Sequence, residues 1–164
     1  MLTIDSMIWI YNLDPNASEN KNVVTYLENG SGILVTEKIG LNPIIPLEVA
    51  HNLFGNSQLD TQEFYSLLSS IFITENITIF DITLETMSTA LAILKNYRNR
   101  GIGGRDSLIL STMAQEDINT IVTHDKNILM LEELKRIDPV FNPPFILEIG
   151  EKFDTNAFKS RINT

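Results

Sequence analysis

Short apolar segments alternate with longer amphipathic ones along most of the chain, and this alternation constrains the fold more than any other feature. The stretches Leu2–Ile4, Ile77–Phe80 and Asn119–Val122 each have the length and composition of a buried strand. The segments between them have the periodicity of helices. Strands that alternate with helices predict an α/β fold with a parallel sheet.

Helical periodicity is clearest at residues 83–98, where four apolar side chains recur on one face and Thr83 with Thr86 provides a start. The predicted helices span residues 7–13, 19–29, 46–55, 60–73, 83–98, 105–116 and 126–136. Met87 and Met113 are expected in the core.

The second strand has two candidates, Gly32–Val35 and Asn42–Ile45. The latter is preferred because Pro46 could then open a helix directly after it.

The chemistry open to the chain is bounded by its length and composition. Its 164 residues fit one domain with a sizeable core, and the absence of cysteine excludes disulfides, thiolate metal sites and cysteine nucleophiles. An acid precedes the first apolar run where a signal peptide has basic residues, and no run is long enough to span a bilayer. A cytoplasmic protein without membrane contact is therefore expected.

The chain is expected to divide near residue 140, because Pro139, Pro143 and Pro144 end the regular pattern. Residues 1–140 form the predicted main unit. Residues 141–164 form an extension of the same domain, in which residues 145–149 suit an edge strand and residues 150–164 a loosely held tail.

Four carboxylates occupy comparable places along this pattern. Asp5 follows the first strand, Glu48 lies in the first turn after Pro46, Asp106 opens a helix and Asp125 follows Asn119–Val122. Binding sites in parallel α/β sheets lie at the carboxyl ends of the strands, so the four can converge. Taken singly, each is also explained as a favourable partner for a helix dipole.

Convergence of these acids has an energetic consequence. Two carboxylates about 5 Å apart repel by roughly 3 kcal/mol at an effective dielectric near 20. Either some of them bind protons or a cation binds among them. Oxygen ligands without cysteine favour Mg²⁺ or Mn²⁺, and such an ion suits phosphodiester hydrolysis.

The stretch GIGGRD, residues 101–106, resembles a phosphate-binding loop at first sight. No Gly-Lys-Ser/Thr follows it, and it does not come directly off a strand, so it matches neither a P-loop nor a dinucleotide turn. Its glycines instead end one helix and place Asp106 at the start of the next.

At these residues the chain resembles the PIN domain family, and within it the VapC-type toxin ribonucleases of prokaryotes. The resemblance rests on TIDSMIW (residues 3–9), PLEVAHNL (residues 46–53) and GRDSLILSTMAQEDINTIVTHDKNI (residues 104–128), and it covers about residues 1–140. It implies a three-layer α/β/α, Rossmann-like fold with a five-stranded parallel sheet. It also implies an endoribonuclease that depends on Mg²⁺ or Mn²⁺, a homodimer and a small antitoxin partner. Residues 30–42 and the stretch past residue 140 look longer than in a minimal toxin.

Carried over by position, the resemblance makes Asp5, Glu48, Asp106 and Asp125 the catalytic and metal-binding acids. Thr123 matches the family's hydroxyl residue near the metal, and Ser6 is a supporting candidate.

The net charge of −9 argues against a general nucleic-acid binder. A local basic cluster, however, leads directly to Asp106: Lys95, Arg98, Arg100 and Arg105. These side chains are candidates for RNA phosphate contacts, and they are equally explained as cations at a helix C-terminus.

Three other functions stay open at this stage. A housekeeping RNA-processing nuclease would share the fold and the acids, whereas a non-cleaving interaction module would not need all four. A phosphotransfer protein of the haloacid dehalogenase or receiver kind would also use an acid after the first strand, but the former needs Asp-x-Asp where this chain has Asp5-Ser6-Met7, and neither finds a well-placed lysine. His51 and His124 adjoin the acids, yet two histidines without cysteine are a poor basis for a zinc site.

Overall fold

A computed structural model of the chain describes residues 1–30, 32–56, 61–154 and 158. The strands in these ranges are β1 (Thr3–Ile4), β2 (Ile39–Leu41), β3 (Ile77–Ile79), β4 (Thr120–Val122), β5 (Lys135–Asp138) and β6 (Phe145–Leu147). The helices are α1 (Ser6–Leu13), α2 (Asn20–Glu28), α3 (Ile33–Thr36), α4 (Ile44–Asn56), α5 (Thr61–Phe72), α6 (Leu84–Tyr97), α7 (Gly104–Gln115) and α8 (Lys126–Leu129). A single 3₁₀ turn, Arg98–Arg100, follows α6.

The main sheet has the strand order β1-β4-β5-β6, and β2 pairs with β3 in a second, two-stranded sheet. A parallel bridge between Leu2 and Ile39 joins the two sheets. β1 to β5 are therefore parallel to their neighbours, and β6 is antiparallel to β5. The predicted α/β class is confirmed, but four strands form the main sheet instead of five.

The core lies where the sheet meets its helices. Ile4 of β1 and Ile121 of β4 are fully buried with Ile8 and Trp9 of α1, and the ring of Trp9 contacts Phe72 edge to face at 5.1 Å. This packing fixes the strand ends from which the functional side chains project.

Both sequence candidates for the second strand were wrong. Residues 33–36 form α3, and residues 44–45 begin α4, whereas the strand is Ile39–Leu41. This strand was not predicted because it contains Gly40, and glycine normally weakens a strand. Here a Cβ on Gly40 would lie 2.6 Å from Ile118 Cδ1 and 2.7 Å from Phe80 Cε2, so close packing requires glycine.

Helix α4 begins at Ile44, two residues before Pro46. The Asn42 side chain accepts a hydrogen bond of 2.8 Å from the Ile44 amide and so satisfies one of the free donors at the helix start. Glu48 therefore lies in the second turn of α4, and the expectation of a first-turn position was wrong.

The helix expected at residues 126–136 ends after one turn, and Lys135–Asp138 is a strand. The charged composition of this strand is not typical of a buried one, yet Arg136 and Asp138 are fully buried. The Arg136 guanidinium donates to the carbonyls of Leu131 and Glu151, both at 2.7 Å. These hydrogen bonds allow a charged residue inside the sheet, and composition alone does not reveal them.

The apolar face of α6 does not pack on the core. Leu84, Met87 and Leu91 are 88%, 42% and 62% exposed, so Met87 is not a core residue, whereas Met113 is buried as expected. The opposite face of α6 carries the buried residues, among them Thr86 and Ala90. The Thr83–Thr86 start of α6 is a capping box, as the sequence indicated.

The predicted edge strand after residue 144 is present as β6. Residues 155–157 and 159–164 of the expected loose tail lie outside the described residues, but Phe158 is fully buried. The division of the chain at residue 140 stays a prediction. No helix among the described residues is long and apolar enough to cross a membrane.

Candidate active site

A cavity of about 950 Å³ opens at the carboxyl ends of β1 and β4, and all four predicted acids line it. We call it the acidic cavity, defined by Asp5, Glu48, Asp106 and Asp125. Its other walls come from the first turns of α1, from α4 and from the glycine turn before α7: Ser6, Met7, Ile10, Tyr11, Ile44, Leu47, His51, Asn52, Gly103, Gly104 and Arg105.

Asp5 lies deepest of the four, between the end of β1 and the start of α1, and is 7% exposed. Its pKa is raised from 3.8 to about 6, chiefly by burial and to a smaller extent by the charges of Asp125 and Asp106. A hydrogen bond from the Thr123 hydroxyl, 2.8 Å from Asp5 Oδ2, acts in the opposite direction. The carboxyl is therefore held in place by a neutral donor, and no cation within the described ranges contributes to its pKa.

The Thr-x-Asp motif after β4 joins two of the acids. The Thr123 hydroxyl donates to Asp5 and accepts a hydrogen bond of 3.0 Å from the Asp125 amide. Asp125 caps the start of α8 and accepts a 2.7 Å hydrogen bond from the Asn127 amide. Fully buried Thr123 thus fixes the position of Asp125 relative to Asp5.

The glycine turn places Asp106 in the first turn of α7, as the sequence indicated. Gly101 has φ +85°, and a Cβ there would lie 2.7 Å from the Asn127 side chain, so both backbone and space require glycine. Ile102 is buried beneath the turn, and Asp106 in the first turn of α7 accepts a 2.8 Å hydrogen bond from the Gly103 amide. Burial, followed by the charges of Asp125 and Glu48, raises the pKa of Asp106.

Glu48 approaches the other acids from α4. The Ser6 hydroxyl lies 2.9 Å from Glu48 Oε2 and 3.3 Å from Asp5 Oδ1, and its one proton serves one of them at a time. Arg105 pairs with Glu48 Oε1 at 2.5 Å across the cavity mouth. Glu48 is thus the only one of the four acids that pairs with a cation among the described residues.

The donor chemistry of the cavity fits a hard divalent cation, since it offers carboxylate and hydroxyl oxygens. Burial and, to a smaller extent, the neighbouring carboxylates raise the pKa of Asp5 and of Asp106. Among the described residues, no three His, Asp or Glu side chains already lie close enough together to hold one ion. Glu48 is bonded to Arg105, and Asp106 is bonded to the Gly103 amide. Binding of an ion by three of the acids would therefore require these side chains to move closer together.

The structure separates the four basic candidates. Arg105 lines the acidic cavity, whereas Lys95, Arg98 and Arg100 do not. Arg100 lies over the Tyr97 ring at 5.3 Å, and the 3₁₀ turn carrying it contacts α8 through Gly101 and Asn127.

Sequence reasoning did not single out the apolar wall of the cavity. Met7, Ile10 and Tyr11 share one face of α1 just after Asp5, a spacing that identifies them once Asp5 is taken as a site residue. His51, one turn after Glu48, also lines the cavity. His124 instead contacts buried Asp138, with Nδ1 2.7 Å from Oδ2.

A comparison with protein-family models matches residues 2–134 to the PIN domain. The chain belongs to the PIN domain family. The match includes all four acids of the cavity and ends before β5.

Several solved structures share the fold. VapC20 of Mycobacterium tuberculosis, described as a toxin that cleaves the sarcin–ricin loop, is 10% identical and superimposes with a TM-score of 0.64, covering 77% of this chain and 91% of its own. VapBC2 of Rickettsia felis, bound to a promoter DNA fragment, is 18% identical with a TM-score of 0.57, covering 82% and 96%. FitAcB of Neisseria gonorrhoeae is 21% identical with a TM-score of 0.56, covering 85% and 98%. A comparison with curated protein sequences gives no match.

Proposed function

We propose that this PIN domain is a metal-dependent endoribonuclease of the cytoplasm and the toxin of a type II toxin–antitoxin pair. The observation that carries the proposal is the convergence of Asp5, Glu48, Asp106 and Asp125 on one cavity, with the pKa of Asp5 raised to about 6. Such a set of acids is costly unless a cation or protons compensate it.

Asp5 and Asp106 would hold Mg²⁺ or Mn²⁺ directly, with Glu48 and Asp125 completing the set of oxygen ligands. A divalent ion bound there would polarise the RNA phosphodiester and make water more acidic. Thr123 fixes the positions of Asp5 and Asp125 relative to each other through its two hydrogen bonds. The Ser6 hydroxyl would orient either Asp5 or Glu48.

Arg105 would act on the RNA. Its side chain is 73% exposed although it pairs with Glu48, so it can exchange that carboxylate for a phosphate. Lys95, Arg98 and Arg100 would contact the RNA backbone farther from the cavity. Phosphate contacts of this kind add affinity without selecting a sequence.

The assignment as a toxin is supported by the nature of the structural neighbours. Besides the toxin VapC20, they include a structure described as a toxin–antitoxin complex from Klebsiella pneumoniae and the VapBC-1 structure of Haemophilus influenzae. A small antitoxin protein is the partner that this proposal implies.

Replacement of Asp106 by asparagine tests the catalytic proposal. Asparagine keeps the size and an acceptor for the Gly103 amide but removes the charge, so cleavage of labelled single-stranded RNA should fall roughly 100-fold or more, since even outer partners of a metal cost 10- to 100-fold. Glu116→Gln, an exposed acid at the end of α7, is the matched control. Cleavage by Asp106→Asn at the parental rate would refute the mechanism.

A homodimer is supported by the exposed face of α6. Its apolar residues follow one another at intervals of three, four and three: Leu84, Met87, Leu91 and Leu94. This spacing reads the same in both directions. Two antiparallel copies related by a twofold axis would therefore place Leu84 opposite Leu94 and Met87 opposite Leu91 of the second copy.

Leu91→Glu should convert the dimer into a monomer in light-scattering measurements. Ile73→Glu, which also alters an exposed apolar residue but lies at the end of α5, should leave the dimer intact. If Leu91→Glu stays dimeric, the subunits meet through another surface.

A further inference from the structure

Four phenylalanines beyond the family match pack together behind the residues that carry Asp125. With His124 they form what we call the aromatic cluster: His124, Phe141, Phe145, Phe153 and Phe158. Phe158 is fully buried, and its ring centroid lies 5.1 Å from Phe153 and 5.3 Å from Phe141. The family match ends at residue 134, so the phenylalanines belong to a part of this chain that the domain model does not include.

The aromatic cluster adjoins the acidic cavity at two points. The His124 ring lies 5.9 Å from Phe158 and 6.2 Å from Tyr11, and Tyr11 lines the cavity. Lys126, directly after Asp125, places its ammonium group 5.5 Å from the centre of the Phe158 ring. A cation at this distance over an aromatic face is attracted by the ring.

The negative charge of the cavity indicates a role for Lys126 in binding a polyanion. Among the described residues that line the cavity, Arg105 is the only lysine or arginine, and it pairs with Glu48. A polyanion that enters a site with four carboxylates needs further positive charge close to them. Exposed Lys126 directly follows Asp125, which lines the cavity, although Lys126 itself is not one of the lining residues.

We propose that Lys126 binds a phosphate of the RNA next to the scissile one, and that Phe158 is the positioning residue that holds Lys126 there. The C-terminal extension would thus contribute to substrate binding through a single buried ring. This inference rests on the proposed function of the cavity and assigns a role to a segment beyond the family match.

The rival explanation is that Phe158 only fills the core of the extension. A double-mutant cycle separates the two roles, because a residue that acts through Lys126 has no effect once Lys126 is gone. Phe158→Leu keeps an apolar side chain and removes the π face, while Lys126→Met keeps the length of the side chain and removes the charge. Phe145→Leu is the matched control, since it alters a ring of the same cluster, 5.9 Å from Phe158, whereas the ammonium group of Lys126 lies over Phe158.

The measurement is the affinity for a labelled single-stranded RNA at several salt concentrations, with Asp106→Asn present in every variant to prevent cleavage. Lys126→Met should flatten the salt dependence by about 0.7 slope units. Phe158→Leu should weaken binding about two- to fivefold, the range of an exposed cation–π contact. The double variant should bind no more weakly than Lys126→Met alone, and Phe145→Leu should bind as the parent does.

A second readout reports the contact without RNA. The ε-methylene protons of Lys126 should be shifted upfield in NMR spectra by the Phe158 ring, and the shift should disappear in Phe158→Leu only.

Additive losses in the double variant, an equal effect of Phe145→Leu, or unchanged RNA affinity in Lys126→Met would overturn the inference. Cleavage by the parent chain is measured separately and decides the proposed function. A parent that cleaves RNA, together with a Lys126→Met variant that binds it normally, refutes only the role of the Lys126–Phe158 pair.

Discussion

The acidic cavity and the aromatic cluster share one short segment, residues 123–126, but are built on opposite physical principles. Thr123 and Asp125 contribute to the cavity, whereas His124 and Lys126 contact the cluster. Four consecutive residues can therefore serve both regions.

The buried acids of the cavity destabilise the folded chain, whereas the aromatic cluster stabilises it. Burial raises the pKa of Asp5, which means that its charged form is destabilised in the folded chain. The cluster instead removes a large apolar area from water and stacks rings at their preferred distances. The two regions therefore make contributions of opposite sign to the free energy of unfolding.

The largest effect on stability is expected from Asp5→Asn. Because the pKa of Asp5 rises on folding, the folded chain binds a proton more tightly than the unfolded chain. The free energy of unfolding therefore contains a contribution that is complete below pH 3.8 and is lost as the pH rises through about 6. At 1.36 kcal/mol per pKa unit, the loss reaches about 3 kcal/mol at most.

Asparagine cannot ionise, so Asp5→Asn should be more stable than the parent at pH 7.5 by up to this amount and no more stable at pH 3.5. Urea unfolding at both pH values, without divalent metal, measures the difference. Phe158→Leu provides the contrast, because a loss of ring contacts should lower stability at both pH values. Equal pH profiles for Asp5→Asn and the parent would show that Asp5 does not carry this cost.

The sequence predicted that the four acids come together, because their positions follow from topology, whereas their catalytic role stays a prediction. Asp5 and Asp125 come directly after buried strands, and parallel strands bring their carboxyl ends to one edge. Asp106 was predicted from the glycines that precede it. The Arg105–Glu48 pair could not be predicted, since it depends on how α4 and α7 pack, and no local pattern records that arrangement.

The missed elements share a different cause. β2 was missed at Gly40, where packing requires the absence of a side chain, and β5 was missed at Arg136, where buried hydrogen bonds compensate a charge. In both cases tertiary contacts override local propensity. The aromatic cluster was missed because its phenylalanines follow no period, and their proximity depends on tertiary contacts that no local pattern records.

The last and smallest effect concerns divalent metal, which should act on the acidic cavity and leave the aromatic cluster unaffected. An ion bound only by the folded chain, at ten times its dissociation constant, adds about 1.4 kcal/mol to the free energy of unfolding. For a chain of this size that corresponds to a rise in Tm of roughly 3 to 6 °C. Thermal melts in millimolar Mn²⁺ or Mg²⁺ at pH 7.5 should show this rise in the parent. Asp5→Asn should reduce the rise, because one metal ligand is gone, whereas Phe158→Leu should show the full rise from a lower Tm in the absence of metal.

If Phe158→Leu abolishes the rise as fully as Asp5→Asn does, the cluster controls the geometry of the metal ligands and the two regions do not act separately. If Mn²⁺ leaves the Tm of the folded parent unchanged, the cavity does not bind the ion, and proton binding alone compensates the negative charge of its carboxylates.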